Sequence, residues 1–153
     1  MTGQLPHLTT AVVVQDRDRF LLVEERIGGQ LLLNQPAGHV EAHETLPEAA
    51  VRETLEETGW LVEPTAIVGI YRWQYDFASI AYLRVCFAAR CRSYVNEQIL
   101  DPVIVRTLWL DYNKLKRAQN LRSPMVLRCV EDYMSGSRYP LTLYKDVVLD
   151  HGS

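Results

Sequence analysis

The stretch Gly38-His-Val-Glu-Ala-His-Glu44-Thr-Leu-Pro-Glu-Ala-Ala-Val-Arg52-Glu53-Thr-Leu-Glu56-Glu57-Thr-Gly59-Trp60 decides the reading of this chain. Thr45-Leu46-Pro47-Glu48 matches a capping box, with a proline in the first turn, where its missing N–H does no harm. Gly59 stands where a left-handed C-cap is expected, so a helix runs between these signals. At about 100° per residue, Glu53, Glu56 and Glu57 fall within an arc of about 100°. Pro47, Val51, Thr54, Leu55 and Thr58 lie opposite and form the expected core face. Three carboxylates are thus expected on one exposed stripe.

Like charges at these spacings repel, by roughly 0.2–0.5 kcal/mol per pair. A helix shaped for stability alone would alternate Glu with Lys, and this one has no Lys. A divalent cation reverses the repulsion. Magnesium takes hard oxygen ligands, keeps several waters and bridges carboxylates to phosphates; it also polarises phosphoryl oxygens and acidifies bound water. Arg52 reaches Glu56 one turn on, or an acid before the helix such as Glu44, and supports the ligands. The Gly38 loop offers a backbone carbonyl as a further ligand. A glutamate-rich helix alone would more often be a solvated face, or a surface for a basic partner. The joint spacing of Gly38, Glu44, Arg52, Glu53, Glu56, Glu57 and Gly59 is what argues otherwise, since chance gives it on the order of one time in a million.

Outward from this segment, residues 10–14 and 20–24 are β-branched and aliphatic runs joined by Asp16-Arg17-Asp18, which predicts a hairpin. Gly28-Gly29 marks a turn, Gln30 to Gln35 a short strand, and Pro36-Ala37-Gly38 its break. Strands are expected at 65–75, 80–90 and 105–110, then helices at 112–119 and from Ser123-Pro124 to near Gly136. This mixed order predicts an α+β fold, an α/β/α sandwich, rather than repeating βαβ units. The 153 residues, with no repeat or linker, are expected to form one domain over 1–153.

A net charge of −3 argues against nucleic-acid polymers and anionic membranes as partners. An anionic substrate must therefore be met by local Arg, Lys or metal charge. Cys86, Cys91 and Cys129 have no metal-ligand or CxxC spacing and read as reduced. With no signal-peptide pattern and no apolar run of spanning length, a soluble cytoplasmic protein is expected, monomeric by default.

The quoted segment resembles the Nudix box, G-x5-E-x7-R-E-U-x-E-E-x-G-U, with U usually a bulky aliphatic. Every polar and glycine position is filled; Thr54 and Trp60 depart at U positions and bear on local packing. Asn34–Glu41, Asn120–Pro124 and Ser135–Leu141 are further similar to the NudJ subgroup of bacterial phosphatases. The resemblance implies a Nudix fold, an α/β/α sandwich around a mixed sheet. It implies hydrolysis of a diphosphate linked to another group, with Mg2+ or, in its place, Mn2+. Glu53, Glu56 and Glu57 would be metal-binding carboxylates, the Gly38 carbonyl a further ligand, and Arg52 with Glu44 a supporting ion pair. Water would be the nucleophile, with the base left open between Glu53 and a downstream acid. Glu97 is a candidate for that acid, with Asp101 competing, although a solvated loop Glu is commoner. The subgroup implies small phosphorylated substrates: nucleoside di- and triphosphates, or a thiamine pyrimidine precursor diphosphate.

Substrate contacts are sought outside the box. Arg26 and Arg84 could each hold phosphate through bidentate hydrogen bonds, or serve as surface ion-pair partners. Tyr71, Trp73 and Tyr75 alternate at strand spacing and could stack on a base, though such stripes more often pack a core. Gln35 is placed to meet a base edge. His39 and His43 read as exposed loop residues. Two other functions compete. One is a catalytically inert nucleotide-binding or regulatory Nudix module; such modules usually lose box glutamates, and this chain has lost none. The other is an isomerase of the isopentenyl-diphosphate type, which needs a catalytic cysteine arrangement not evident here.

Overall fold

Strand β1 (His7–Asp16) shows why two layers of helix are required. Its central residues are buried without interruption, so side chains on both of its faces must be covered. Ala11 and Val13 join one core cluster with Cys86, Ala88, Val126 and Cys129. Val12 and Val14 join a second with Ala50, Val62, Val85 and Phe87. The alternation is the two-residue period of a strand dividing its side chains between two layers.

A computed structural model of the chain describes residues 4–148; residues 1–3 and 149–153 of the expected single unit lie outside them. In chain order, β1 is followed by β2 (Arg19–Ile27), β3 (Gln30–Asn34), β4 (Ala37–His39), α1 (Leu46–Thr58), β5 (Trp60–Trp73) and β6 (Tyr82–Tyr94). Then come β7 (Ile104–Asp111), α2 (Tyr112–Arg117), α3 (Pro124–Met134) and a 3-10 turn at Leu141–Leu143. The sheet is mixed, ordered β3-β2-β1-β6-β5, with β4 paired to β1 and β7 to β2. β1 and β6 run parallel, and the other pairs are antiparallel. Ala50 of α1 packs into one core and Val126 and Val130 of α3 into the other. This is the expected α+β sandwich.

The helix signals in the sequence act as read. Thr45 and Glu48 form the reciprocal capping box, and Gly59 closes α1 at φ 78 with its N–H on the Leu55 carbonyl. The core face of α1 differs from the expected one. Ala49, Ala50, Thr54, Thr58 and also Glu57 are buried, whereas Pro47, Val51 and Leu55 are half-buried. Small residues there let the sheet approach closely. Thr54 fits an aliphatic position because its hydroxyl donates to the Ala50 carbonyl at 2.7 Å. Trp60 finds aromatic neighbours, with Tyr94 and Trp109 ring centroids at 5.1 and 6.5 Å.

Strand limits shift too. β5 begins at Trp60, five residues before the expected start, because Pro64 sits at a bulge in its pairing with β6. The expected 10–14/20–24 hairpin pairs at Gln15–Phe20 and Asp16–Arg19 alone; beyond these β1 turns away to join β6 and β4. Pro36 ends β3, yet Ala37–His39 resumes as β4, which pairs with Thr9–Ala11. No helix among the described residues is long and apolar enough to cross a membrane.

Candidate active site

The carboxylates of α1 meet the sheet at β4. Gly38 lies so close to Glu53 that an added Cβ would stand 2.1 Å from the Glu53 carboxyl carbon. Only glycine leaves room for that carboxylate beside the backbone. Arg52 organises the rest. Its Nε and Nη2 donate to the two Glu44 oxygens at 2.8 and 2.5 Å, a bidentate pair. Its Nη1 donates to Glu53 at 2.9 Å and Glu56 at 3.2 Å, and Nη2 also reaches the His39 carbonyl at 3.0 Å. Both partners foreseen for Arg52 are thus engaged together. Glu44 further accepts the Glu41 N–H at 2.8 Å, which fastens the loop before the helix.

The three glutamates do not share one exposed stripe. The Glu56 side chain is 43% exposed and Glu53 14%, while Glu57 is buried against β4 and accepts the Ala37 N–H at 2.7 Å. Burial pushes the Glu57 carboxyl up to about 9; the Ala37 N–H pulls the other way, and Glu25, Glu53 and Asp101 add to the rise. Burial also raises Glu53, against the Arg52 hydrogen bond, while that same arginine lowers Glu44. Two carboxyls are therefore held where they resist ionising without added positive charge.

That is the condition a hard divalent cation relieves. Among the described residues no group of three or more His, Cys, Asp or Glu side chains is arranged, as it stands, to hold a metal ion. An ion that keeps waters and takes phosphate oxygens does not need one. The donor chemistry fits: Glu53, Glu56 and Glu57 with the Gly38 backbone offer hard oxygens where α1 meets β4.

The other predicted residues divide. Trp73 and Arg84 line a cavity of about 440 Å3 whose wall includes Gly38 and His39 of β4, beside the glutamate cluster. Gln35 is buried outside that lining, its amide donating to the Val12 carbonyl at 3.2 Å and accepting from Arg84 Nη1 at 3.0 Å. It braces Arg84 and has no free edge for a base. Arg26 is exposed on β2 and does not line the cavity. Glu97 is exposed in the loop after β6. The competing Asp101 is nearer the box: its N–H donates to the Glu56 carbonyl at 2.8 Å, and its charge reaches Glu53 and Glu57. Tyr71 donates to Asp132 at 2.8 Å and packs on the core, Tyr75 is exposed at the cavity rim, and His39 meets His7 at 2.9 Å.

Sequence reasoning missed Glu25, Asn34 and Arg122. Buried Glu25 accepts from Arg122 Nη1 at 2.9 Å and from Asn34 Nδ2 at 3.3 Å, and so links Glu57 to the cavity wall. The available signal was a Glu24-Glu25 pair closing an apolar strand, where a solvent-facing pair would leave one residue pointing inward.

With this geometry in place, the comparisons with known proteins agree. The NUDIX domain family model matches residues 5–129, and the chain belongs to the Nudix family: it is a Nudix hydrolase. It is 42% identical over 141 residues to Phosphatase NudJ of Escherichia coli K12 and to that of Shigella boydii serotype 4, covering 92% of this chain and of each relative. It is also similar to a NUDIX hydrolase from Nitrosomonas europaea, with TM-score 0.90 and 39% identity over 94% of this chain and 98% of that one.

Proposed function

We propose that this chain is a magnesium-dependent hydrolase of phosphoanhydride bonds in nucleoside di- and triphosphates or related small diphosphates. A thiamine pyrimidine precursor diphosphate belongs to that class. The observation that carries the reading is the carboxylate cluster itself: half-buried Glu53 and Glu56 and buried Glu57 beside the backbone of β4, whose Gly38 also lines the cavity of Trp73 and Arg84. The phosphatase relatives favour orthophosphate as the product.

In this reading Glu53, Glu56, Glu57 and the Gly38 carbonyl hold the cation, with Mn2+ able to replace Mg2+. The bound ion supplies charge to the phosphoryl oxygens and lowers the pKa of a water. Arg52, clamped by Glu44, fixes the rotamers of Glu53 and Glu56. Glu53, raised by burial, is a candidate to accept the proton of the attacking water, with Asp101 favoured over Glu97 as a second acid near the box. The site acts in one protomer on a small phosphorylated molecule, in the cytoplasm.

The test is a panel of nucleoside di- and triphosphates with magnesium, with the released product identified as orthophosphate or diphosphate. Hydrolysis should stop on chelation with EDTA and return with added Mg2+. Activity that survives thorough chelation would remove the cation from the reading. Nucleotide binding with no hydrolysis of any member would favour the inert regulatory module instead.

A further inference from the structure

Arg84 is an unusual residue for its position. It projects from β6 on the α3 side of the sheet, is 5% exposed, and lies beside Thr9 of the parallel strand β1. Among the described residues it forms no ion pair with any carboxylate; Nη1 donates to Gln35, and Nε is buried without a partner. A buried guanidinium left so incompletely satisfied is costly to keep unless something else completes it. Nε and Nη2 form the side-on fork of the guanidinium, the pair of parallel donors that meets two adjacent acceptors at once. Gln35 occupies the other nitrogen and holds the fork in place.

The cavity around Arg84 specifies the rest of the ligand. Trp73 and Tyr82 stack at 6.0 Å and 30° along one wall, and Ile80 and Met125 add apolar surface. Asn34, also lining the cavity, is buried with its Oδ1 unpartnered while its Nδ2 is committed to Glu25. The volume of about 440 Å3 is toward the lower end of the roughly 300–1,000 Å3 common for ligand pockets. The surfaces of Trp73, Tyr82, Ile80 and Met125 suit a flat aromatic ring, and Arg122, which also lines the cavity, has its charge met by Glu25 at 2.9 Å.

We propose that this cavity binds the heterocycle of the substrate, and that Arg84 selects rings carrying two adjacent acceptors while Asn34 takes an N–H from the same ring. Guanine presents O6 beside N7, and cytosine presents O2 beside N3 next to its amino group. Adenine and uracil have no such adjacent pair: N3–H separates the two uracil oxygens, and in adenine the amino group separates N7 from N1 and C2–H separates N1 from N3. Arg84 is thus a specificity-determining residue and Gln35 its positioning residue. The assignment rests on the hydrolase reading for where the phosphates lie, at Gly38 and the glutamates.

Binding of GMP, CMP, AMP and UMP, and of inorganic diphosphate, is measured by calorimetry with magnesium for the wild type and for Arg84→Lys. The wild type should hold GMP and CMP roughly tenfold more tightly than AMP and UMP, the scale of one bidentate base contact. Lysine keeps the charge but lacks the fork, so the difference should shrink to about twofold or less, with diphosphate affinity unchanged. Equal affinity for all four monophosphates in the wild type would overturn the proposal. So would an Arg84→Lys protein that loses diphosphate as severely as GMP, since Arg84 would then hold phosphate. If the variant does not fold, the wild-type ranking decides alone. GDP turnover measured in parallel separates the two ideas: base preference without turnover sinks the hydrolase reading and leaves the cavity assignment standing.

Discussion

The glutamate cluster and the Arg84 cavity meet at Gly38 and His39 but are built in opposite ways. The cluster draws Gly38, Glu44, Arg52, Glu53, Glu56 and Glu57 from twenty consecutive residues, brought together by α1, its contact with β4 and the hydrogen bonds of Arg52. The cavity draws Thr9, Asn34, Trp73, Arg84 and Arg122 from segments far apart, and strand register brings them together. Their chemistry is opposed as well. The cluster has in Glu57 a buried carboxyl that Arg52 does not reach, whereas the cavity has a buried guanidinium short of acceptors. A diphosphate carried on a heterocycle, with its cation, answers both deficits in one ligand.

Changes in the glutamate cluster should be the more damaging. Glu57→Gln should lower kcat by at least roughly a hundredfold, the scale of losing a group essential to the chemical step. Its circular dichroism and Tm should remain, because a carboxyl raised to about 9 is protonated and amide-like without metal. Near-normal turnover in this variant would break the contrast. Gly38→Ala comes next, since its Cβ would displace the Glu53 carboxylate. A fall of roughly ten- to a hundredfold in kcat is expected, as for lost ligand support, with the KM for nucleotide little changed.

In the cavity the effect moves to binding. Trp73→Ala should raise KM for a nucleoside diphosphate by roughly tenfold, the worth of a base–aromatic stack of about 1–3 kcal/mol, while kcat holds. A drop in kcat with constant KM would mean that the two regions cannot be separated.

A smaller signal is thermal. The folded Glu57 carboxyl titrates near 9, above its ordinary 4.5, so the folded state holds a proton that the unfolded chain has released between those values. Its contribution is full below about 4.5 and is lost as pH rises through about 9, so metal-free stability falls over that window. Magnesium favours the ionised form, and the Tm gain it gives should be larger at about pH 9 than at about pH 6. Scanning calorimetry at both values, with and without the ion, shows whether the gain grows. Least of all, Thr45→Ala should cost about 1 kcal/mol in denaturant unfolding through the lost cap and leave kcat/KM unchanged.

How much the sequence disclosed follows the same divide. Capping signals, Gly59 and the box spacing are local, so the helix and its Arg52–Glu44 clamp could be read directly. The burial of Glu57 could not, because it depends on β4 lying against α1, and Pro36-Ala37-Gly38 reads locally as a break. Gln35 shows the limit well. Its place beside the box suggested a substrate contact, but the pairings that put Val12 and Arg84 next to it turn it inward. Glu25 and Arg122 become partners across 97 positions, which no local pattern reports.

The parallel ladder of β1 with β6 carries a consequence for how the molecule is made. Leu8 to Val14 must wait for Leu83 to Ala89, about 75 residues later. At synthesis rates of roughly 5–20 residues per second, that delay lasts several seconds or more. During it, a strand greasy on both sides has left the ribosome without its neighbour. Nascent chains stalled before Tyr82 should therefore be the species that chaperones hold and that clump when chaperones are scarce.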